Sequence, residues 1–507
     1  MNSKFFAFLT ISFLAAGSAV GQTFSNPIQI SRDAGAHDPA LHTGRDGTIY
    51  ISWFENNADI YFSHSSDGGS TFSIPVRVSQ QVTTNEWTSL LQRAPNFGID
   101  TKGTIHLVWM EARIPDPRTN QEQSDIWYAR STDHGMTWTA PVSIMDANDS
   151  ELYDQDYPAI AIDSQNTLYV CYLDNRDLLR GIVPHYKMML ERSVDGGATW
   201  SDPVIADQLP VSDAGTCECC RDDIAASPEG HVYIAFRTSM TETDGDKRDI
   251  FICRSRDGGL TFDSSIRCQL GDWTLTACPT KGPQIVLDKN ENLHLAWCDA
   301  RDDSGKLASY YSTLGHGDTA VVRNYSVSYG TPNATWPTVA IAPNGTIAYS
   351  YALDYSGGPN RFTYSSDGGA TWHRTLNIPG GSGDAETVPC LTFDSAGNLF
   401  EAWQDGNANG ILFAKISGIQ NSSVTESSTA TEPDVFPDPV TNGVLTIAIA
   451  ERPQRVLLRD EKGSTIETAS PDIRDGRLTI SVRDLPSGTY FCEIVGKPSR
   501  HIKFIIP

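Results

Sequence analysis

The chain is poor in positive charge. Its 38 lysines and arginines stand against 62 aspartates and glutamates, a formal net charge of −24. Nucleic-acid affinity rests on cations that neutralise phosphates, so this balance argues against a nucleic-acid partner and reads as a solvated acidic surface. Long apolar runs are missing too: beyond the N-terminus no segment could span a bilayer. The opening "MNSKFFAFLTISFLAAGSAVGQ" places Lys4 ahead of an apolar run too short for a span, with Ala19 and Gly21 at −3 and −1 of a cut before Gln22. That is the pattern of a secretory signal peptide over residues 1–21. The mature chain then passes through an oxidising compartment, where its ten cysteines can pair. With 39% apolar residues, 507 residues suffice for two domains or one large repeat array.

What the sequence has instead is a repeat. "SSDGGSTF" (65–72) recurs as "STDHGMTW" (131–138), "SVDGGATW" (193–200), "SRDGGLTF" (255–262) and "SSDGGATW" (365–372). Each copy belongs to a longer unit with a proline, a turn residue eight positions on and an aromatic fourteen positions on. "PALHTGRDGTIYISW" (39–53) is the first of seven, and Asp222 stands in the proline's place in the fourth. The seven aromatics are Trp53, Trp109, Tyr172, Phe236, Trp297, Tyr351 and Trp403, in units 52 to 64 residues apart, the length of a four-stranded propeller blade with its loops. Within a unit, residues alternate with period two in short runs bounded by Gly, Asp and Pro, the grammar of strands and hairpins. The fold class is therefore all-β, a seven-bladed propeller, with six blades as the alternative. The seventh unit stops near Ser417 without a fourth strand, and "NPIQISR" (26–32) resembles the missing piece. Such a strand would close the ring and remove its open edges.

The repeated turn lies between strands c and d of each unit. Asp67, Asp133, Asp195, Asp257 and Asp367 accept backbone N–H groups there, and glycine supplies positive φ, so these aspartates are read as structural. The pattern S-x-D-x-G-x-T-W is the Asp box, and its recurrence once per unit resembles the sialidase superfamily of β-propellers over residues 22–417. The fifth unit has lost it ("STLGHGDTA"). A Ser/Thr-rich linker follows over 418–433. Residues 434–507, with "VFPDPVTNGVLTI", "DLPSGTYFCEI" and "HIKFIIP", outline a small β-sandwich that resembles the type A sorting domain of type IX secretion in Bacteroidetes. This implies export through the periplasm to the medium or the outer-membrane surface, with the type IX machinery as a partner.

Strand direction puts the a–b turns and Asp boxes on one rim, and the starts of strand a with the b–c loops on the other, around the channel mouth. Near the mouth fall His37, Asp38, Arg93, Asp156, Arg221 and Lys281 ahead of strand a, and Glu111 and Asp174 after strand b. Arginines 113, 176, 237 and 301 flank them. The sialidase resemblance implies three arginines on a substrate carboxylate, an Asp general acid and a Tyr nucleophile activated by Glu. Glu111, Asp156 and Asp174 are the catalytic candidates, and Arg93, Arg221, Lys281, His37 and Asp38 the substrate-binding ones. No complete set follows from the spacing. Cys217, Cys219, Cys220 and Cys278 also fall at starts of strand a, as disulfides, as a soft-metal site of thiolates or as packing. Cys253 and Cys268 bracket an Asp box and could pair; Cys171, Cys298 and Cys390 read as small core residues. Three functions stay open: a monomeric propeller binding extracellular glycan or glycoprotein, an exo-sialidase-type hydrolase, and a metal-associated propeller centred on the cysteines. No cofactor is implied by the first two.

Overall fold

In a computed structural model the described residues are 23–419, without 33–34, 56–58, 80–94, 114–122, 145–152, 210–213, 243–244, 272, 274–281, 302–305, 329–330, 332, 354–358, 370, 374, 380–387 and 406–409, together with the strands of 435–506. Residues 1–21, read as a signal peptide, and 420–433 of the segment read as a linker lie outside them. The chain divides into two compact units, 1–420 and 421–507.

The first unit is a ring of seven antiparallel sheets. Blade 1 shows the plan: strand a His37–Thr43, b Ile49–Glu55, c Asp59–Ser65 and d Val76–Arg77. Strand b is buried along its whole length, because it has blades on both faces, and alternation there gives way to a continuous apolar run. Each strand a packs against strand a of the next blade, and that of blade 7 against that of blade 1. The ring closes as the repeat count requires. Thr23–Phe24 and Ile28–Gln29 pair with Gly410–Ser417 of blade 7, with Ile28 opposite Phe413 and Gln29 opposite Leu412. Blade 7 thereby joins the two ends of the propeller chain in one sheet.

The c–d turns hold neighbouring blades together. In blade 3, Asp195 accepts the backbone N–H of Ala198 and Thr199 at 3.0 and 2.9 Å and the Thr199 hydroxyl at 2.6 Å. Hydrogen bonds from Thr199 and Ser193 hold its pKa down at about 2. Ser193 Oγ accepts the N–H of Gly197 at 2.9 Å. Gly197 has φ +81°, and a Cβ there would overlap the Tyr128 hydroxyl of blade 2. The same glycine presses on the preceding blade at Gly69 (Phe413), Gly135 (Phe62), Gly259 (Leu190) and Gly369 (Tyr311). Arginines latch the same seam: Arg130 Nη1 donates to the Gly196 carbonyl at 2.5 Å and Arg192 Nη1 to that of Gly258 at 3.0 Å.

The second unit is a sandwich of two four-stranded sheets. Leu445, Ile447, Leu478 and Ile480 from one sheet meet Val456, Leu458, Tyr490 and Cys492 from the other in one core.

The seam makes a specific demand on its glycines. Gly197→Ala adds both a strained φ and an overlap with Tyr128, and should cost about 2–4 kcal/mol. Gly196→Ala, whose Cβ meets only Arg130 Nη1 at 3.3 Å, should cost about 1 kcal/mol. Urea unfolding of the two variants checks the difference; equal losses would remove the packing role.

Candidate functional site at the channel mouth

Strand a begins irregularly in three blades. The ladder slips between His37 and Ala40, between Asp156 and Ala159, and between Thr335 and Thr338. At each bulge the residue before the proline has positive φ: Asp38 (56°), Tyr157 (53°) and Trp336 (47°). Such conformations cost of order 1–3 kcal/mol each for non-glycine residues and gather at functional sites, where bulges re-aim side chains. Arg221 holds the corresponding place in blade 4, one residue before Asp222.

Three of these four side chains converge from blades 1, 4 and 6. Arg221 donates to the Asp38 carboxylate, and its guanidinium lies 5.0 Å over the Trp336 ring. His37 Nδ1 is 3.1 Å from Asp38 Oδ2. Burial would raise the Asp38 pKa, but Arg221 and His37 hold the carboxyl well below the usual range. Asp38 is buried while Arg221 and His37 stay partly open to solvent. Gly282, at the start of blade 5, packs on the Arg221 backbone so closely that a Cβ would overlap the Arg221 carbonyl. Arg93, Lys281 and the side chain of Arg113 lie outside the described residues.

The acids after strand b are engaged within their own blades. Trp109 Nε1 and Glu111 Oε2 are 3.4 Å apart, as are Trp53 Nε1 and Glu55 Oε2, and Trp297 donates to Asp299 at 2.8 Å. Burial raises the Glu111 pKa. Asp174 is buried and grips Arg176 through both oxygens at 2.7–2.9 Å; Asp299 holds Arg301 in the same way. Asp156 accepts the Ser124 hydroxyl at 2.7 Å. The structure also contains a Tyr–Glu pair, Tyr172 and Glu191 at 2.5 Å. Both are buried between blades, and burial and Glu191 drive the Tyr172 pKa well above its ordinary value, the opposite of what an activated tyrosine nucleophile needs.

Beside Arg221 lies the cysteine cluster. The Sγ atoms of Cys217, Cys219 and Cys220 are all within 4.8 Å of one another, and Cys217 and Cys219 are 3.5 Å apart. That is far beyond the S–S bond of about 2.05 Å. It is close to the roughly 3.8 Å between thiolates at about 2.3 Å from one tetrahedral ion. Cys278 lies outside the described residues. Asp222 is buried beside the cluster with no hydrogen bond to either carboxylate oxygen among the described residues. Burial first, then Cys217, Asp207 and Asp223, push its pKa well up. Cys253 and Cys268 do not pair: Cys253 Sγ faces Ser265 Oγ at 3.6 Å and Cys268 Sγ the Ile266 carbonyl at 3.5 Å. Cys171, Cys298 and Cys390 are buried in strands.

Sequence reasoning passed over Tyr157 and Trp336. Aligning the units on the residue before the proline, rather than two before it, would have shown them beside Asp38 and Arg221.

Comparison with known families agrees with this architecture. The BNR repeat-like domain matches residues 47–329, more than half of the chain. The chain belongs to the BNR repeat-like family. A second family, the secretion system C-terminal sorting domain, matches residues 434–507. This BNR repeat-like protein is thus a substrate of the type IX system, secreted or held at the cell surface. Among solved structures it is similar to an ulvan lyase, a polysaccharide lyase (12% identity, 77% of this chain and 95% of that one, TM-score 0.52). It is also similar to a Dyadobacter fermentans protein of unknown function (16% identity, 68% and 98%, TM-score 0.47) and to a Hadza microbial sialidase (17% identity, 73% and 76%, TM-score 0.46). At these identities the likeness is one of fold. No curated protein matches the sequence.

The Asp38–Arg221 pair has a signed pH dependence in this BNR repeat-like propeller. A carboxylate with a depressed folded pKa stabilises above its unfolded pKa of about 3.9 and loses that contribution as pH falls through the folded value. Asp38→Asn should cost about 3 kcal/mol near neutral pH, the scale for breaking a buried pair. The gap to the wild type should narrow below about pH 4 in urea titrations. A gap independent of pH would mean the pair is not ionic.

Proposed function

We propose that this exported propeller binds an extracellular glycan at its channel mouth. Trp336 offers a ring face for a sugar, and Arg221, Asp38 and His37 offer hydrogen-bonding groups beside it. Aromatic surface with a few convergent polar groups is the usual make-up of a ligand site. The observation that carries the reading is the convergence of Asp38, Arg221 and Trp336 from three blades at one repeat position. Arg93 and Lys281 are proposed to add cations to the same mouth, so that Arg93 and Arg221 would receive the carboxylate of an acidic sugar.

Hydrolysis is the second reading, favoured by one observation: burial raises the Glu111 pKa, the shift a general acid needs. Asp156 and Asp174 would be its partners.

A glycan array and a fluorogenic glycoside panel with the purified secreted protein test both. Binding without turnover is expected. Trp336→Ala and Arg221→Lys should each weaken it about 10–100-fold, the scale of one charged hydrogen bond or aromatic contact, with unchanged circular dichroism. Turnover lost in Glu111→Gln would establish the hydrolase instead, and neither binding nor turnover would overturn both readings.

Export is tested separately. Truncation after Ile419 should leave a folded propeller in the periplasm, measured by fractionation. Normal appearance of the truncated protein in the medium would remove the sorting role of 434–507.

A further inference from the structure

On the rim opposite the mouth the repeat is broken between blades 4 and 5. We propose that His231, Glu291 and His316 form a binding site for a divalent transition-metal ion such as Zn2+, which links blades 4 and 5 where the Asp box is missing.

The site is built from three positions at which the repeat itself specifies something else. Strand register fixes the correspondence. Leu293 pairs with Leu314 in blade 5 as Val232 pairs with Ser255 in blade 4 and Leu168 with Ser193 in blade 3. His316 therefore occupies the place of Asp257 and Asp195, the aspartates of the box. His231 directly precedes strand b, where the other six blades have threonine or asparagine. Glu291 occupies the positive-φ corner of the a–b turn, where five blades have glycine and one has Asn166. Glu291 adopts φ 59° there, a conformation uncommon for any residue but glycine and asparagine. Three independent departures, on three turns of two blades, meet at one point.

Their chemistry fits a cation. Nδ1 of His231 and Nδ1 of His316 lie 2.8 and 2.9 Å from the same Glu291 Oε2, and one ligand atom from each residue falls within 4.8 Å of the others. Two imidazoles and a carboxylate are a zinc donor set, with the fourth place open to water. His316 is partly exposed, which gives an ion its path in. Arg254 Nη1 donates to the carbonyls of His316 and Asp318 at 3.1 and 3.0 Å and holds the turn. Asp318 stands where the other boxes have the glycine that presses on the preceding blade, so this seam lacks that contact and gains a metal bridge instead. The site is remote from the mouth and independent of the glycan reading.

The test is calorimetric titration and thermal unfolding of the full mature chain, stripped of metal and then given Zn2+, for the wild type and two variants. The wild type should bind zinc and unfold at a higher temperature with it. His316→Ala should lose one equivalent of zinc, or weaken it at least 100-fold, more than the loss of a mere outer-shell partner. Glu291→Gly returns the repeat's own residue, so its metal-free melting temperature should equal or exceed that of the wild type while the zinc-dependent rise disappears. Zinc held by the cysteine cluster would persist in both variants and so be told apart. A wild type indifferent to zinc, or variants that keep every equivalent within about threefold of wild-type affinity, overturns the proposal.

Discussion

In five blades a glycine of the c–d turn sits against a side chain of the blade before it. The turn comes that close because an aspartate satisfies two backbone N–H groups and a threonine hydroxyl at once. The backbone can then tighten into two successive positive-φ residues, two glycines in four turns and His134–Gly135 in the fifth, without stranding polar groups. The contact is with Phe413 of blade 7 in one case and with Phe62, Tyr128, Leu190 or Tyr311 in the others. One geometry thus accepts aromatic and aliphatic partners as long as no Cβ intrudes. Blade 7 takes only three strands from its own end of the chain, and Thr23–Phe24 and Ile28–Gln29 supply the fourth.

A closed ring can carry strain that an open sheet would relax. Asp38, Tyr157 and Trp336 are held in left-handed conformations by bulges in strands whose neighbours on both sides are locked. Across the ring, Arg221 of blade 4 meets Asp38 of blade 1 and Trp336 of blade 6. The acids after strand b work differently. Glu55, Glu111 and Asp299 face the indole of their own strand, anchoring the aromatic that fills the space between blades.

The blades, their number, the closing strand and the C-terminal sandwich were all legible in the sequence, because each rests on spacing along the chain. Proline to turn residue to aromatic is a local pattern, and "NPIQISR" is a local match to a strand d. The pairing of Asp38 with Arg221 is not local: the two are 183 positions apart and meet only once seven blades have closed. The indole contact of Glu111 was open to sequence reasoning: residues two apart on a strand share a face, so the acid two past Trp109 can meet its ring nitrogen. The cysteines misled in one respect: Cys253 and Cys268 flank a hairpin in sequence, but their thiols turn toward Ser265 and the Ile266 carbonyl. His231, Glu291 and His316 were visible only as a lost Asp box, because their meaning depends on which turns of adjacent blades touch.

The same distinction between local and assembled environments sorts the carboxylates. Those of the Asp box are exposed and hydrogen-bonded by their own turn, and Asp67 and Asp195 are held down at about 2. Glu191 and Asp207 are buried and Asp223 half-buried, and desolvation raises each to about 7. Asp222 and Glu401 are pushed further still by burial. Desolvation outweighs the Lys187 ammonium 3.7 Å from Asp207, and a buried acid takes up a proton rather than hold a charge in a poor dielectric. Asp38 is the exception that marks the mouth. It is buried like Asp207, yet its carboxyl is held well below the usual range because Arg221 reaches it from another blade. The cation that keeps it charged is one that only ring closure supplies.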